Sequence, residues 1–225
     1  MDRAFSNFML GNLRVEIPII QGGMGVRVSS FGLASAVSNE GGLGVIAAVA
    51  LGEDETGAGC DYKARSRNSL IDNIRKTRSL TGKPFGVNIM CALSNYDDLV
   101  DASQSEAVDV IISGAGLPLK LPALIKNGRT KLVPIVSSAR AAYLICSVWK
   151  RRYNRVPDAL IVEGPLAGGH LGFSNEELAD GENVNLDGIL SEVISIAAGF
   201  PGPAGKIPVI AAGGIFDGED ISRVI

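Results

Sequence analysis

Seven short runs of the chain are almost continuously apolar and rich in Val and Ile: IPIIQ (17–21), LGVIAA (43–48), PFGVNIM (84–90), VDVIISG (108–114), KLVPIVS (131–137), ALIVEG (159–164) and IPVIAAGG (207–214). Strands buried on both faces carry this pattern, whereas a one-sided sheet alternates apolar and polar positions. Amphipathic segments lie between them: SFGLASAVSNEG (30–41), SLIDNIRKTRSLTG (69–82), LPALIKNG (121–128), ARAAYLICSVWKRRY (139–153) and DGILSEVISIAAG (187–199). The fourth sets Ala142, Ile145, Cys146 and Trp149 at i, i+3, i+4 and i+7, one face of a helix. Ser29 or Ser30 is placed to cap the first, and Gly41 or Gly42 to end it. Such alternation predicts βαβ units and a parallel sheet.

Two closures satisfy that pattern. An open dinucleotide-binding sheet calls for G-x-G-x-x-G at its first strand-to-helix turn, and no such fingerprint is present. Instead, polar or glycine residues follow nearly every strand: QGG, NIM, SGAG, VSS, EG and AAGG. A TIM (β/α)8 barrel gathers all those strand ends on one face, where barrel enzymes place their sites. The barrel is therefore preferred, with seven strands visible and the eighth expected beyond ISRVI or from another chain. The stretches 52–68 and 173–185 read as loops after strand ends, placed to act as lids.

Composition narrows the function classes. With 46% hydrophobic and 20% charged residues, the 225-residue chain can bury a large core. Net charge is −3 and no basic stripe appears, which argues against nucleic acid. The longest apolar stretch, LGVIAAVAL, is about half of the roughly 18–20 residues a membrane span needs. No apolar h-region marks a signal peptide in MDRAFSNFMLGNLRVE. Cys60, Cys91 and Cys146 are isolated, so neither a zinc site nor a disulfide framework is indicated, and a reducing cytoplasm is the simplest compartment.

The chemistry collects at the strand ends. In IPVIAAGGIFDGEDI two glycines precede a helix starting near Asp217, an arrangement that either binds phosphate or simply turns tightly. Asp217 and Asp220 fit helix capping. In IPIIQGGMGV, Met24 sits among glycines, facing either the core or a flat ring. Asn88 interrupts an apolar strand, and its amide must find partners in a heterocycle edge or in nearby loops. Ser113 and Ser137 also stand at strand ends and fit backbone anchoring. EGPLAGGHLGF is the most informative segment. Glu163 closes a buried strand, Gly168 and Gly169 free the backbone, and the only histidine, His170, follows. An imidazole exchanges protons near neutral pH, so His170 is a candidate acid or base. With no second histidine and no cysteine cluster, metal binding is not expected there.

Taken in order, IPIIQGGMG, SNEGGLGVIAA, GKPFGVNIM, SGAG, EGPLAGGHLGF and IPVIAAGGI resemble the nitronate monooxygenase (2-nitropropane dioxygenase) family, which includes the FMN-dependent enoyl-acyl carrier protein reductases. The resemblance covers residues 17 to 219. It implies a single FMN-binding TIM-barrel domain over residues 1–225, C-terminally incomplete, with non-covalent FMN at the strand C-termini. By residue, it implies that Gly22, Gly23 and Met24 contact the flavin ring. Asn88, Glu163, Gly168 and Gly169 lie near the cofactor, and Gly213 and Gly214 bind its phosphate. His170 faces the reactive side as base or substrate-orienting group. Many relatives carry a glutamate where this chain has Leu166, which changes the charge beside the loop.

The function implied first is oxidation of alkyl nitronates to carbonyl compounds and nitrite. The alternative is an enoyl thioester reductase using NAD(P)H as electron donor, toward which GKPFGVNIM leans. A non-catalytic or phosphate-ligand-binding barrel is the reading from another class. The expected partner is a small-molecule substrate, with a homodimer allowed.

Overall fold

The computed structural model describes residues 8–53, 61–170, 172–179, 184–202 and 205–225. The chain begins with an antiparallel hairpin, β1 (Phe8–Leu10) and β2 (Leu13–Val15). A six-stranded parallel sheet follows: β3 (Gly44–Ala47), β4 (Phe85–Met90), β5 (Val110–Gly114), β6 (Lys131–Val136), β7 (Leu160–Glu163) and β8 (Val209–Ala212). Its spatial order is the chain order. A doubly wound sheet reverses direction at a switch point; this one never does, and it curls as a partial TIM barrel.

The helices are α1 (Phe31–Asn39), α2 (Tyr62–Leu80), α3 (Tyr96–Ser105), α4 (Leu121–Leu124), α5 (Ala139–Tyr153), α6 (Asn175–Ala179), α7 (Leu186–Ala198) and α8 (Gly218–Val224). Successive residues of each strand face opposite ways. Ile46, Val87, Ile111, Leu132 and Leu160 pack outward against helix residues such as Leu70, Leu99, Ile145 and Trp149. Val45, Val110, Ile112, Val133 and Ile161 pack inward around Leu10 and Val15 of the hairpin. Both faces are thus covered, which explains the unbroken apolar runs. Burying Leu10 and Val15 contributes roughly 1.5–3 kcal/mol each, enough to fix a two-stranded hairpin that is marginal alone.

Paired carboxylates hold the hairpin end of the sheet. Asp109 accepts from the Phe85 N–H at 3.1 Å and pairs with Arg78. Asp158 accepts from the Leu132 N–H at 2.9 Å and pairs with Arg155. Each satisfies a donor at the start of a neighbouring strand that the parallel ladder leaves open.

Several sequence expectations need correcting. The run 17–21 is not a strand: Ile20 makes only an isolated parallel bridge to Leu43. Pro18 lacks an N–H, and the Ile19 N–H turns back to the Ile17 carbonyl at 2.7 Å, so no ladder propagates. The Gln21 side chain substitutes for it, donating to the Val45 carbonyl and accepting from the Val45 N–H. The expected lid at 52–68 is helical from Tyr62, because Asp61 caps α2 by accepting from the Lys63 N–H. Residues 54–60, with Cys60, lie outside the described residues. The 173–185 stretch contains α6, and its residues 180–183 also lie outside. The eight-residue helix expected at 121–128 closes after one turn, where Gln104 takes over the Leu124 carbonyl and the Lys126 N–H.

Candidate active site

Asn88 and Glu163 project into the mouth of the barrel at the C-terminal ends of β4 and β7. Their neighbours Val87, Ile89 and Val162 belong to the outer core, so strand alternation turns Asn88 and Glu163 inward. Both are half-buried, and neither side chain has a hydrogen-bond or ion-pair partner among the described residues. Half-buried polar groups without protein partners at the mouth of a cleft are left to solvent or ligand.

The glycine loops converge on them. Gly23 lies against Asn88; a Cβ there would come within 2.6 Å of the Asn88 Cβ. Gly22 faces open space, and Met24 is 46% exposed, which settles its position at the surface. Ser29 pins this loop: its fully buried Oγ donates to the Gly22 carbonyl and accepts from Gln21 Nε2 and the Met24 N–H. Its expected role as a helix cap is therefore corrected. Ser30 takes the cap position without a side-chain bond, and Asn73 Oδ1 accepts from the Phe31 N–H. The polar run QGG hinted at a loop, but nothing in the sequence pointed to Ser29 as its anchor.

After β7, Gly168 and Gly169 face open space and His170 is exposed. His170 has no hydrogen-bond partner among the described residues. Gly213, at φ +85°, lies against this loop: a Cβ on it would stand 2.7 Å from the Ala167 nitrogen. Gly214 touches Leu166 in the same way. Only glycine meets both the left-handed backbone and the close approach at Gly213. Ser137 donates to the Gly172 carbonyl at 3.2 Å and ties the far end of the loop.

One expectation narrows. At the α8 N-terminus Asp217 already accepts from the Glu219 and Asp220 N–H groups, and Asp220 from that of Phe216, which leaves fewer donors for a phosphate than the sequence suggests. Both aspartates are caps, as their spacing implies. Ser113 anchors backbone as expected, donating to the Ile89 carbonyl at 3.0 Å within a buried cluster, 2.9 Å from the Tyr96 hydroxyl and 3.3 Å from Cys91 Sγ. Burial pushes both the Tyr96 phenol and the Cys91 thiol above their usual pKa, so this cluster is structural.

Burial alone raises the Glu163 pKa above the ordinary 4.5. The folded state then holds the proton more tightly than the unfolded chain. The resulting stability is full below the ordinary value and is lost as pH rises through the folded-state value. Glu163→Gln removes the ionisation and keeps the shape. Its thermal midpoint is expected to match the parent at pH 4 and exceed it at pH 8, followed by circular dichroism. An identical difference at both pH values would contradict the burial argument.

The site fits the FMN that the resemblance implies. Asn88 and Glu163 offer unpartnered polar atoms, Gly22, Gly168 and Gly169 leave open backbone for a flat ring, and the Gly213–Gly214 turn presents free backbone beside it.

A family model described as nitronate monooxygenase matches residues 6–106 and 92–225. A nitronate monooxygenase of Pseudomonas aeruginosa is 31% identical over 247 residues, covering 95% of this chain and 63% of that protein. The (3aS,4S,5R,7aS)-5-hydroxy-7a-methyl-1-oxo-octahydro-1H-indene-4-carboxyl-CoA dehydrogenase of Mycobacterium tuberculosis is 31% identical over 94% of this chain and 49% of its own length. The solved structure of FabK from Thermotoga maritima superposes with TM-score 0.68 at 34% identity, over 92% of this chain and 54% of that one. Nitroalkane oxidase from Streptomyces ansochromogenes gives TM-score 0.70 at 26% identity, over 95% and 62%. The chain thus spans about half the length of the Mycobacterium tuberculosis relative and under two thirds of the Pseudomonas aeruginosa one. Among the described residues no helix is long and apolar enough to cross a membrane. With motifs, topology and family model in agreement from end to end, the chain belongs to the nitronate monooxygenase family.

Proposed function

We propose that this protein is an FMN-dependent oxidoreductase that converts alkyl nitronates to carbonyl compounds and nitrite. One observation carries the reading: Asn88, Glu163 and His170, all without hydrogen-bond or ion-pair partners among the described residues, stand with open glycine backbone at the C-terminal end of the parallel sheet. Bound FMN would supply the redox chemistry, accepting electrons from the nitronate and passing them to oxygen. Gly22, Gly23 and Met24 would bear on the ring, with Asn88 and Glu163 meeting its polar edge. Gly168 and Gly169 would lie beside it, and the Gly213–Gly214 turn would receive the phosphate. His170 would hydrogen-bond the nitro oxygens of the nitronate, or take the α-proton from a neutral nitroalkane. The half-buried setting of Glu163 raises its pKa above the ordinary carboxylate value.

A second reading, enoyl thioester reduction with NAD(P)H, is supported by the GKPFGVNIM segment. Anaerobic mixing of the flavin-loaded protein separates the two. The proposal expects bleaching of the visible flavin absorbance by ethyl nitronate and none by NADPH on the same timescale. Rapid bleaching by NADPH with no response to nitronate would transfer the assignment to the reductase.

A further inference from the structure

A pocket of ≈300 Å³ opens beside the Gly213–Gly214 turn, between the segment after β7 and the N-terminal end of α7. Neither the Gly213 nor the Gly214 N–H donates to an acceptor among the described residues. Two amides carry no net charge, however, and a phosphate ester holds about −1.5 to −2 at neutral pH. Three N–H groups around the α8 N-terminus are already taken by Asp217 and Asp220. The pocket lining adds two carboxylates, Glu177 and Asp187. A phosphate held here needs a counter-charge, and Arg223 is the one cation in that lining among the described residues.

Arg223 stands in the last turn of α8, where acids of two helices hold it. Its Nη1 donates to both Asp187 oxygens at 2.5 Å, and its Nη2 lies 3.7 Å from Asp220 Oδ1. The Nε N–H donates to nothing among the described residues. The Arg223–Asp187 pair is exposed, with side chains 45% and 63% accessible, so it favours the closed arrangement by at most about fivefold. A guanidinium grips a phosphate through two parallel N–H···O bonds, and a dianion outcompetes a single carboxylate for that fork. The contact with Asp187 is therefore weak enough to exchange.

We propose that Arg223 is the cation that holds the cofactor phosphate at the Gly213–Gly214 turn, and that Asp187 holds the same guanidinium until the phosphate takes its place. The proposal rests on the FMN reading above and adds to it a side chain that the glycine motifs do not include.

The test is flavin affinity, read from the change in flavin fluorescence as the flavin-free chain is titrated with FMN and, separately, with riboflavin, which has the same ring and ribityl chain and no phosphate. Arg223→Gln is expected to weaken FMN binding at least about tenfold and to leave riboflavin within about twofold of the parent. Asp187→Asn frees the guanidinium and is expected to tighten FMN by up to about fivefold, with riboflavin unchanged. In the Arg223→Gln background that gain is expected to disappear. Riboflavin binding in each variant reports an intact fold. FMN affinity in Arg223→Gln within about twofold of the parent overturns the proposal, and so does an equal loss for both flavins. A gain from Asp187→Asn that survives in the Arg223→Gln background overturns the exchange, because Asp187 would then act on the phosphate by repulsion alone. A parent chain that binds riboflavin as tightly as FMN overturns phosphate recognition at this turn while the flavin reading stands. A chain that binds neither overturns the flavin reading and this proposal together.

Discussion

Gly44→Ala is expected to cost about 3 kcal/mol or more of folding stability, a large share of the roughly 5–15 kcal/mol typical of a domain. A Cβ at Gly44 would stand 1.8 Å from the Ala34 carbonyl oxygen, 2.6 Å from its carbon and 2.8 Å from Ser38 Oγ. The first two atoms are helix backbone, so no rotamer change relieves the contact; α1 must lift off β3. The same point holds three elements together. Buried Ser38 Oγ accepts from the Gly44 N–H at 3.1 Å and donates to the Pro84 carbonyl at 2.8 Å, at the entrance to β4. Moving α1 therefore also strips a hydrogen bond from each strand. Urea unfolding followed by circular dichroism reads the loss as a lowered midpoint with an unchanged slope. Gly168→Ala is the control: nothing lies within 4 Å of a Cβ there, and its stability is expected within about 0.5 kcal/mol of the parent. A Gly44→Ala midpoint as close to the parent as the control's would mean that α1 and β3 do not meet at this distance.

That contact also illustrates what is readable in the chain and what is not. The period of apolar residues finds α5 to the residue, because Ala142, Ile145, Cys146 and Trp149 all face the core and no competing interaction disturbs the pattern. The buried strands are equally legible, since both faces are covered. What periodicity misses is polar substitution for backbone pairing. Gln21 replaces a ladder step beside Pro18, and the run 17–21 therefore reads as a strand without being one. Helix α3 escapes notice because its buried face includes Ala102, Ser103 and Gln104, whose polar groups find backbone partners that sequence does not announce. The β1–β2 hairpin is hidden by its length, three residues a side.

The site was legible by residue type and strand position rather than by period. Asn88 and Glu163 stand out as polar residues in apolar strands, and the structure turns both inward with no side-chain partner among the described residues. The helix-terminus part of the phosphate argument is weakened because Asp217 already takes the Glu219 and Asp220 N–H groups, which spacing alone does not distinguish from an open terminus. Ser29 illustrates the opposite error: a residue type suited to capping is spent on holding the Gly22–Met24 loop.

His170→Asn is expected to lower kcat/KM for a neutral nitroalkane by about 10²–10⁴, the usual contribution of a positioned acid or base. His170 is exposed, follows two glycines with open space around them and makes no hydrogen bond among the described residues. Its removal should therefore leave the thermal midpoint and the flavin spectrum unchanged, and a loss of activity cannot be charged to unfolding. Asparagine keeps a donor but takes up no proton, so the substrate's protonation state decides between the two roles proposed for His170. A nitronate formed in alkali before mixing has already lost its α-proton. If His170 is the base, the variant recovers most of its rate on the preformed nitronate and stays slow on the nitroalkane. If His170 orients the nitro oxygens, both substrates slow by a similar and smaller factor, about tenfold, because the amide replaces part of the hydrogen bond. Steady-state nitrite release from both substrates, at matched pH and oxygen, separates these outcomes. Rates within threefold of the parent on both would remove His170 from the chemistry and turn attention to Glu163, whose pKa burial raises at the mouth of this barrel.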